Sequence, residues 1–180
     1  VCSSDLHFPE EWAAWKRKRK ACHLQNARLR SHRVATAQTL ESAEELQGRD
    51  FWFVYTMDWR GRLYPVAGAL NPQGNSLAKG LLQFSDGNPL GERGAYWLRV
   101  HLANTFGVDK VSYEDRIAWV EDNSTMISLC AVDPFTFKTW TEADSPWEFL
   151  AACFEYERFK QQGVTMVSHL PIREIGRAHV

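Results

Sequence analysis

Arg60, Arg62 and Tyr64 are spaced two apart in the run Met57-Asp58-Trp59-Arg60-Gly61-Arg62-Leu63-Tyr64. Residues two apart share a face of an extended chain. A strand over residues 58–64 would therefore project two guanidinium groups and a phenol together, with Trp59, Gly61 and Leu63 facing the other way. That set suits a polynucleotide. Arginine offers a rigid fork of donors to phosphate oxygens, glycine lets a ligand backbone approach closely, and tyrosine stacks on a base or contacts a sugar. The same residues also fit a surface strand whose arginines pair with Asp58, and a tight turn at Gly61 would undo the shared face. Asn71-Pro72-Gln73-Gly74-Asn75 and Lys79-Gly80-Leu81-Leu82 follow. Asn75 and Lys79 join the candidate contacts, the bland role of Lys79 being to cap or decorate a short helix.

A second feature is electrostatic. The net charge is −1, yet residues 16–33 hold Lys16, Arg17, Lys18, Arg19, Lys20, Arg28, Arg30 and Arg33 and none of the chain's 22 acidic residues. Such a basic stripe is either a phosphate-tracking footprint or a solvated helix face. Contacts of the first kind add affinity without sequence preference and weaken with salt.

Other constellations are thin. His23, His32, His101 and His169 show no metal-ligand spacing, and no nucleophile elbow or phosphate-binding glycine loop is present. Asp58, Asp133 and Asp144 do not read as a catalytic pair, and no metal site is assigned within the chain. Cys2, Cys22, Cys130 and Cys153 lack paired spacing, so reduced and mostly buried thiols are expected. Trp97, Phe106, Trp119, Trp140, Trp147, Phe149 and Phe154 read as core and not as a stacking platform. No apolar run approaches the about 20 residues of a membrane span.

The elements that must position these groups follow from start and stop signals. Residues 9–30 are expected to form a basic helix with Trp12 and Trp15 on one side, and residues 34–46 a second helix ended by Gly48. Aromatic and branched content predicts strands over 51–55 and 62–66, and a short helix opens at 77–82. A more helical module follows, with helices over 93–106 closed by Gly107, from Ser112 with Asp115, and from Ser145-Pro146-Trp147-Glu148 to Gln162. In that last start Ser145 is the expected N-cap, Pro146 the first helical residue and Glu148 the capping-box partner. Gly163 then gives way to a strand over 164–170. The fold class is mainly α with a small β component (α+β).

The motifs Met57-Asp58-Trp59-Arg60-Gly61-Arg62-Leu63-Tyr64, Asn71-Pro72-Gln73-Gly74-Asn75 and Lys79-Gly80-Leu81-Leu82 closely resemble the single-subunit DNA-directed RNA polymerases of bacteriophages, relatives of the mitochondrial enzyme. The resemblance runs in order from Pro9-Glu10-Glu11-Trp12 through Ala103-Asn104-Thr105-Phe106-Gly107, Asp144-Ser145-Pro146 and Cys153-Phe154-Glu155-Tyr156 to Leu170-Pro171-Ile172. It implies a right-hand polymerase that transcribes DNA into RNA by magnesium-dependent nucleotidyl transfer. Its partners would be a DNA template, nascent RNA and ribonucleoside triphosphates, with no membrane, in the host cytoplasm and as a monomer. By the same resemblance residues 7–48 are the thumb end, 49–87 the first palm segment, 88–163 a helical palm insertion and 164–173 the start of the second palm segment. Lys79 lies in the region where such polymerases separate strands and hold the hybrid.

Residues 1–6 and 174–180 stand apart. Their back-translations, GTGTGCTCTTCCGATCT and GAGATCGGAAGAGCACACGTC, contain reverse complements of one another, the mark of a sequencing adapter. The natural sequence is expected to run from about His7 to about Arg173, an internal fragment. In the resembled family the first catalytic aspartate follows Leu-Pro-Ile within about three residues, where this chain has Ile175. The fragment alone is thus expected to lack catalytic residues and to be inactive. A stand-alone single-strand or RNA-binding module without catalysis, or a helical interaction domain, is the competing reading.

Overall fold

In a computed structural model of the chain, residues 9–172 are described; the stretches read as adapter, and Cys2, Arg173 and Ile175, lie outside them. Helix α1 spans Pro9–Leu46 without interruption. The expected break after residue 30 does not occur, because the segment around Ser31 to Arg33 contains no glycine or proline and nothing there blocks the i to i−4 ladder. Instead Thr36 Oγ1 lies 3.5 Å from His32 Nδ1 across that point. At 38 residues, α1 is about 57 Å long at 1.5 Å per residue. Its last turns are anchored: Thr39 is buried, and its hydroxyl donates to Ala35 O at 2.9 Å and Ala69 O at 3.3 Å.

Strands β1 (Tyr55–Met57) and β2 (Leu63–Pro65) form an antiparallel hairpin in which Thr56 faces Tyr64 and Met57 faces Leu63. They begin later and run shorter than the sequence predicts, because Asp58 to Arg62 is consumed by a turn and Phe51 and Phe53 pack instead beside Leu70, Ala78 and Leu82 under the end of α1. The short helix α2 (Ser76–Leu81) follows. Strand β3 (Asn88–Pro89) pairs antiparallel with β4 (Val167–Ser168) near the end of the described chain. The strand expected over 164–170 is reduced to these two residues, since Gly163–Thr165 continues from the preceding helix as a 3-10 turn.

Helices α3 (Gly91–Phe106), α4 (Tyr113–Asp122), α5 (Ser124–Val132) and α6 (Pro146–Gln162) build the main core. The end of α3 and the start of α4 obey the sequence signals, whereas α5 had no counterpart among the expected helices. Gly107 takes φ +118° and its N–H bonds Ala103 O and Asn104 O, the left-handed cap that ends α3. The Ser112 hydroxyl accepts from Asp115 N–H at 3.1 Å to start α4. Asp144 N–H donates to Phe106 O and Ser145 N–H to Thr105 O, so carbonyls left over at the end of α3 are satisfied by the chain entering α6. Two of the recognised motifs meet at that point.

The α6 residues Phe149, Ala152, Cys153 and Tyr156 recur at helical spacing on one buried face. Phe149 meets Phe106 at 5.1 Å between ring centroids, and Phe106 meets Trp119 at 4.7 Å. Phe106, Trp119, Trp140 and Phe149 thus belong to the core as expected. Trp147 and Phe154 do not, each being 44% exposed, and Trp97 packs edge-on to Tyr96 and Tyr113 outside the main cluster. Cys130 and Cys153 are buried thiols, each held above its usual range first by burial, whereas Cys22 is exposed. Among the described residues the molecule is mainly helical with two small antiparallel ribbons, the class read from the sequence.

Candidate nucleic-acid interface

The tip of the hairpin is organised by Asp58. Its Oδ1 accepts the N–H of Arg60 at 2.8 Å and of Arg62 at 2.9 Å. Its carbonyl accepts from Gly61 N–H at 3.0 Å, and its own N–H donates to Arg62 O at 2.9 Å. Gly61 closes the turn at φ +79°, a left-handed backbone that glycine adopts without penalty. Residues 58–64 are therefore not one extended segment, and the shared face of Arg60, Arg62 and Tyr64 is not a strand face. Alternation holds only from Arg62 to Tyr64, while Arg60 sits on the turn itself.

The turn changes how the groups are presented and leaves them accessible. Trp59 is 88% exposed, and the Arg60 guanidinium lies over its ring at 4.8 Å. The Arg60 Nε stands 3.9 Å from Asp58 Oδ2, a long contact for an exposed pair. Asp58 spends its best geometry on backbone amides, so of the arginine pairs the surface-strand reading expected, the long Arg60 contact is present and, among the described residues, an Arg62 pair is not. Among the described residues the Arg62 side chain has no hydrogen bond or ion pair. Tyr64 is exposed as well. A guanidinium stacked on an indole, a second guanidinium and a phenol thus surround a turn fixed by four hydrogen bonds.

Asn75 and Lys79 face elsewhere. The Asn75 Oδ1 accepts from Ala78 N–H at 2.9 Å and caps α2, and Lys79 Nζ lies 3.7 Å from Glu148 Oε1 on α6. Ser76 supplies a contact that sequence reasoning missed. Its hydroxyl accepts from Trp147 N–H at 3.2 Å and Glu148 N–H at 3.4 Å, capping α6 across the fold. Ser145, the expected cap, makes no side-chain capping bond. The α2 loop also reaches the hairpin, where Gln73 Nε2 donates to Leu63 O at 3.0 Å.

All eight basic residues between Lys16 and Arg33 are exposed on α1. They do not form a stripe. Successive helical residues turn by about 100°, so five in a row from Lys16 to Lys20 encircle the helix as a collar. Trp12 and Trp15 stack at 4.9 Å between centroids, with Lys16 over the first ring and Arg19 over the second.

His23 and His32 are exposed and His101 is buried. His169 Nδ1 lies 2.8 Å from Phe84 O, holding the chain before β3 to the segment after β4. No helix among the described residues is long and apolar enough to cross a membrane.

Residues 88–177 match the family described as DNA-dependent RNA polymerase. The chain belongs to that family. It is 42% identical to T7 RNA polymerase of Escherichia phage T7 over 165 residues, covering 91% of this chain and 19% of that polymerase. Against the DNA-directed RNA polymerase of Enterobacteria phage T3 the figures are 44% identity, 88% of this chain and 18% of the relative. Against the mitochondrial DNA-directed RNA polymerase of Schizosaccharomyces pombe they are 37%, 93% and 15%. The chain thus spans less than a fifth of the length of these curated relatives. A match over 91% of the chain necessarily takes in the hairpin, so the phage-type polymerase resemblance read from its motifs is borne out there as well as in the helical part.

Proposed function

We propose that this chain is a segment of a phage-type, single-subunit DNA-directed RNA polymerase and that its hairpin tip grips the template strand and the RNA:DNA hybrid. The observation that carries the reading is the tip itself: Trp59, Arg60, Arg62 and Tyr64 stand exposed around a turn that Asp58 holds rigid. The Arg60 fork, stacked on Trp59, is prearranged and loses little freedom on meeting a phosphate. Arg60 and Arg62 take phosphates of the template or hybrid, and Tyr64 helps place a template base or the nascent RNA. Asn75 and Lys79 support that contact. The collar from Lys16 to Lys20, with Arg28, Arg30 and Arg33, adds a non-specific phosphate-attracting surface.

The whole polymerase would work as a monomer in the host cytoplasm, with ribonucleoside triphosphates as substrates. Residues 7–48 then serve as thumb end, 49–87 as first palm segment, 88–163 as helical insertion and 164–173 as the return to the palm. Magnesium ions would activate the attacking hydroxyl and stabilise the leaving pyrophosphate in the complete enzyme. Among the described residues no group of three or more His, Cys, Asp or Glu side chains is placed to hold such an ion. The part proposed for this chain is binding and alignment, a large share of catalysis in phosphoryl transfer.

Arg62→Ala in the complete polymerase is the test. Elongation should fall by about tenfold or more, the scale of a lost charge-assisted phosphate contact, with the melting temperature unchanged. Elongation at the unaltered rate would overturn the reading.

A further inference from the structure

We propose that Ser76, Lys79 and Glu148 form a latch that fixes where the hairpin tip sits, so that Lys79 serves nucleic-acid binding as a positioning residue acting through Glu148. The proposal rests on the reading of the hairpin tip as a nucleic-acid contact and extends it to residues that never touch the polynucleotide.

Strands β1 and β2 make their main contacts with each other, so something outside the hairpin must set its direction. A continuous route exists. Trp147 and Glu148 donate their N–H groups to the Ser76 hydroxyl, which pins the start of α2 to the start of α6. Lys79, one turn along α2, lies 3.7 Å from the Glu148 carboxylate, a contact in which the glutamate side chain is 10% exposed and the lysine 31%. Glu148 stands in the first turn of α6, where a negative charge is favoured by the helix dipole. From α2 the route continues through the Asn75 cap, the Asn71 carbonyl that accepts from Gly74 N–H, and Gln73, whose amide donates to Leu63 O in β2.

Two further facts favour a latch over an incidental contact. Gly80 lies so close to α6 that a Cβ there would meet Trp147 O at 2.7 Å, so the two helices are in backbone contact beside the ion pair. The capping serine comes from α2, although Ser145 occupies the N-cap position of α6 and makes no capping bond. The start of α6 is therefore completed by the same short helix that holds Lys79.

The test compares Lys79→Glu, Glu148→Lys and the double exchange in the 180-residue chain. Affinity for an RNA:DNA hybrid, melting temperature, and amide exchange at Ala78 and Trp147 are measured for each. A latch predicts that each single change weakens hybrid binding by about threefold or more, that the exchanged pair recovers most of the loss, and that Lys79→Arg binds as the parent does. It also predicts faster exchange at both amides in the single variants and recovery in the pair. A lysine bound directly to phosphate predicts the opposite: Glu148→Lys strengthens binding, and the exchanged pair stays as weak as Lys79→Glu. That outcome overturns the latch. Ser76→Ala gives a milder second variant and should speed exchange at Trp147 and weaken binding while lowering the melting temperature by only a few degrees, the scale of a lost helix cap. If Arg62→Ala leaves hybrid affinity untouched, the functional reading has failed and the latch is judged on amide exchange alone, where unaltered rates in all single variants would end it.

Discussion

Replacing Phe149 with alanine is expected to destabilise the helical core by about 3–5 kcal/mol. The ring is fully buried, at the centre of the cluster formed by Leu98, Leu102, Val120, Ile127 and Cys153, and it makes edge contact with Phe106. Four helices meet around it, so no single side chain can move in to fill the space. A small domain's whole stability is about 5–15 kcal/mol, and the variant should unfold near ambient temperature or not fold at all. Urea unfolding followed by tryptophan fluorescence checks this. A loss below about 1 kcal/mol would mean that the core described here is not the one that holds the module together.

Gly80→Ala is the second large effect, and its sign is decided by magnitudes. Alanine within a helix ordinarily gains about 1 kcal/mol over glycine. Here the added Cβ would lie 2.7 Å from Trp147 O and 2.8 Å from Trp147 C. Both are backbone atoms and cannot swing aside, so α2 must shift away from α6. Overpacking of this kind costs about 1–3 kcal/mol, which outweighs the propensity gain. The Ser76 cap and the Lys79–Glu148 contact would lengthen with the shift. Net destabilisation in thermal unfolding, with accelerated exchange of the Trp147 amide, is expected; a stabilised variant would show that the two helices are not in close contact.

How far the sequence led depends on whether a signal was local. Gly107, Ser112, Pro146 and Gly163 marked helix ends correctly because each acts on its own backbone within one turn. The Ser145 capping box failed for a distant reason: Ser76, some 70 residues earlier in the chain, takes the amides that Ser145 was expected to satisfy. The unbroken course of α1 differs from the two helices expected over 9–30 and 34–46 because nothing local to residues 31–33 ends a helix. A projecting helix has little to bury, and no breaking residue stood there. The hairpin misreading was avoidable. Asp58 followed three residues later by Gly61 is a turn signature, and it outweighed the two-residue spacing of Arg60, Arg62 and Tyr64.

The candidate site was partly legible for the same reasons. Residue types around Arg60, Arg62 and Tyr64 indicated the chemistry, while the presentation of those groups depended on a carboxylate that bonds backbone amides. Glu148, Ser76 and Gly80 carried no local mark of their joint role, since only the packing of α2 on α6 brings them together.

Salt titration of RNA:DNA hybrid binding, comparing the chain with its Arg60→Ala/Arg62→Ala variant, tests the central claim most directly. If the tip grips phosphates, log affinity falls with log salt in both proteins, and the double change lowers the slope by about two, one for each phosphate contact removed. Equal slopes and equal affinities would contradict the account.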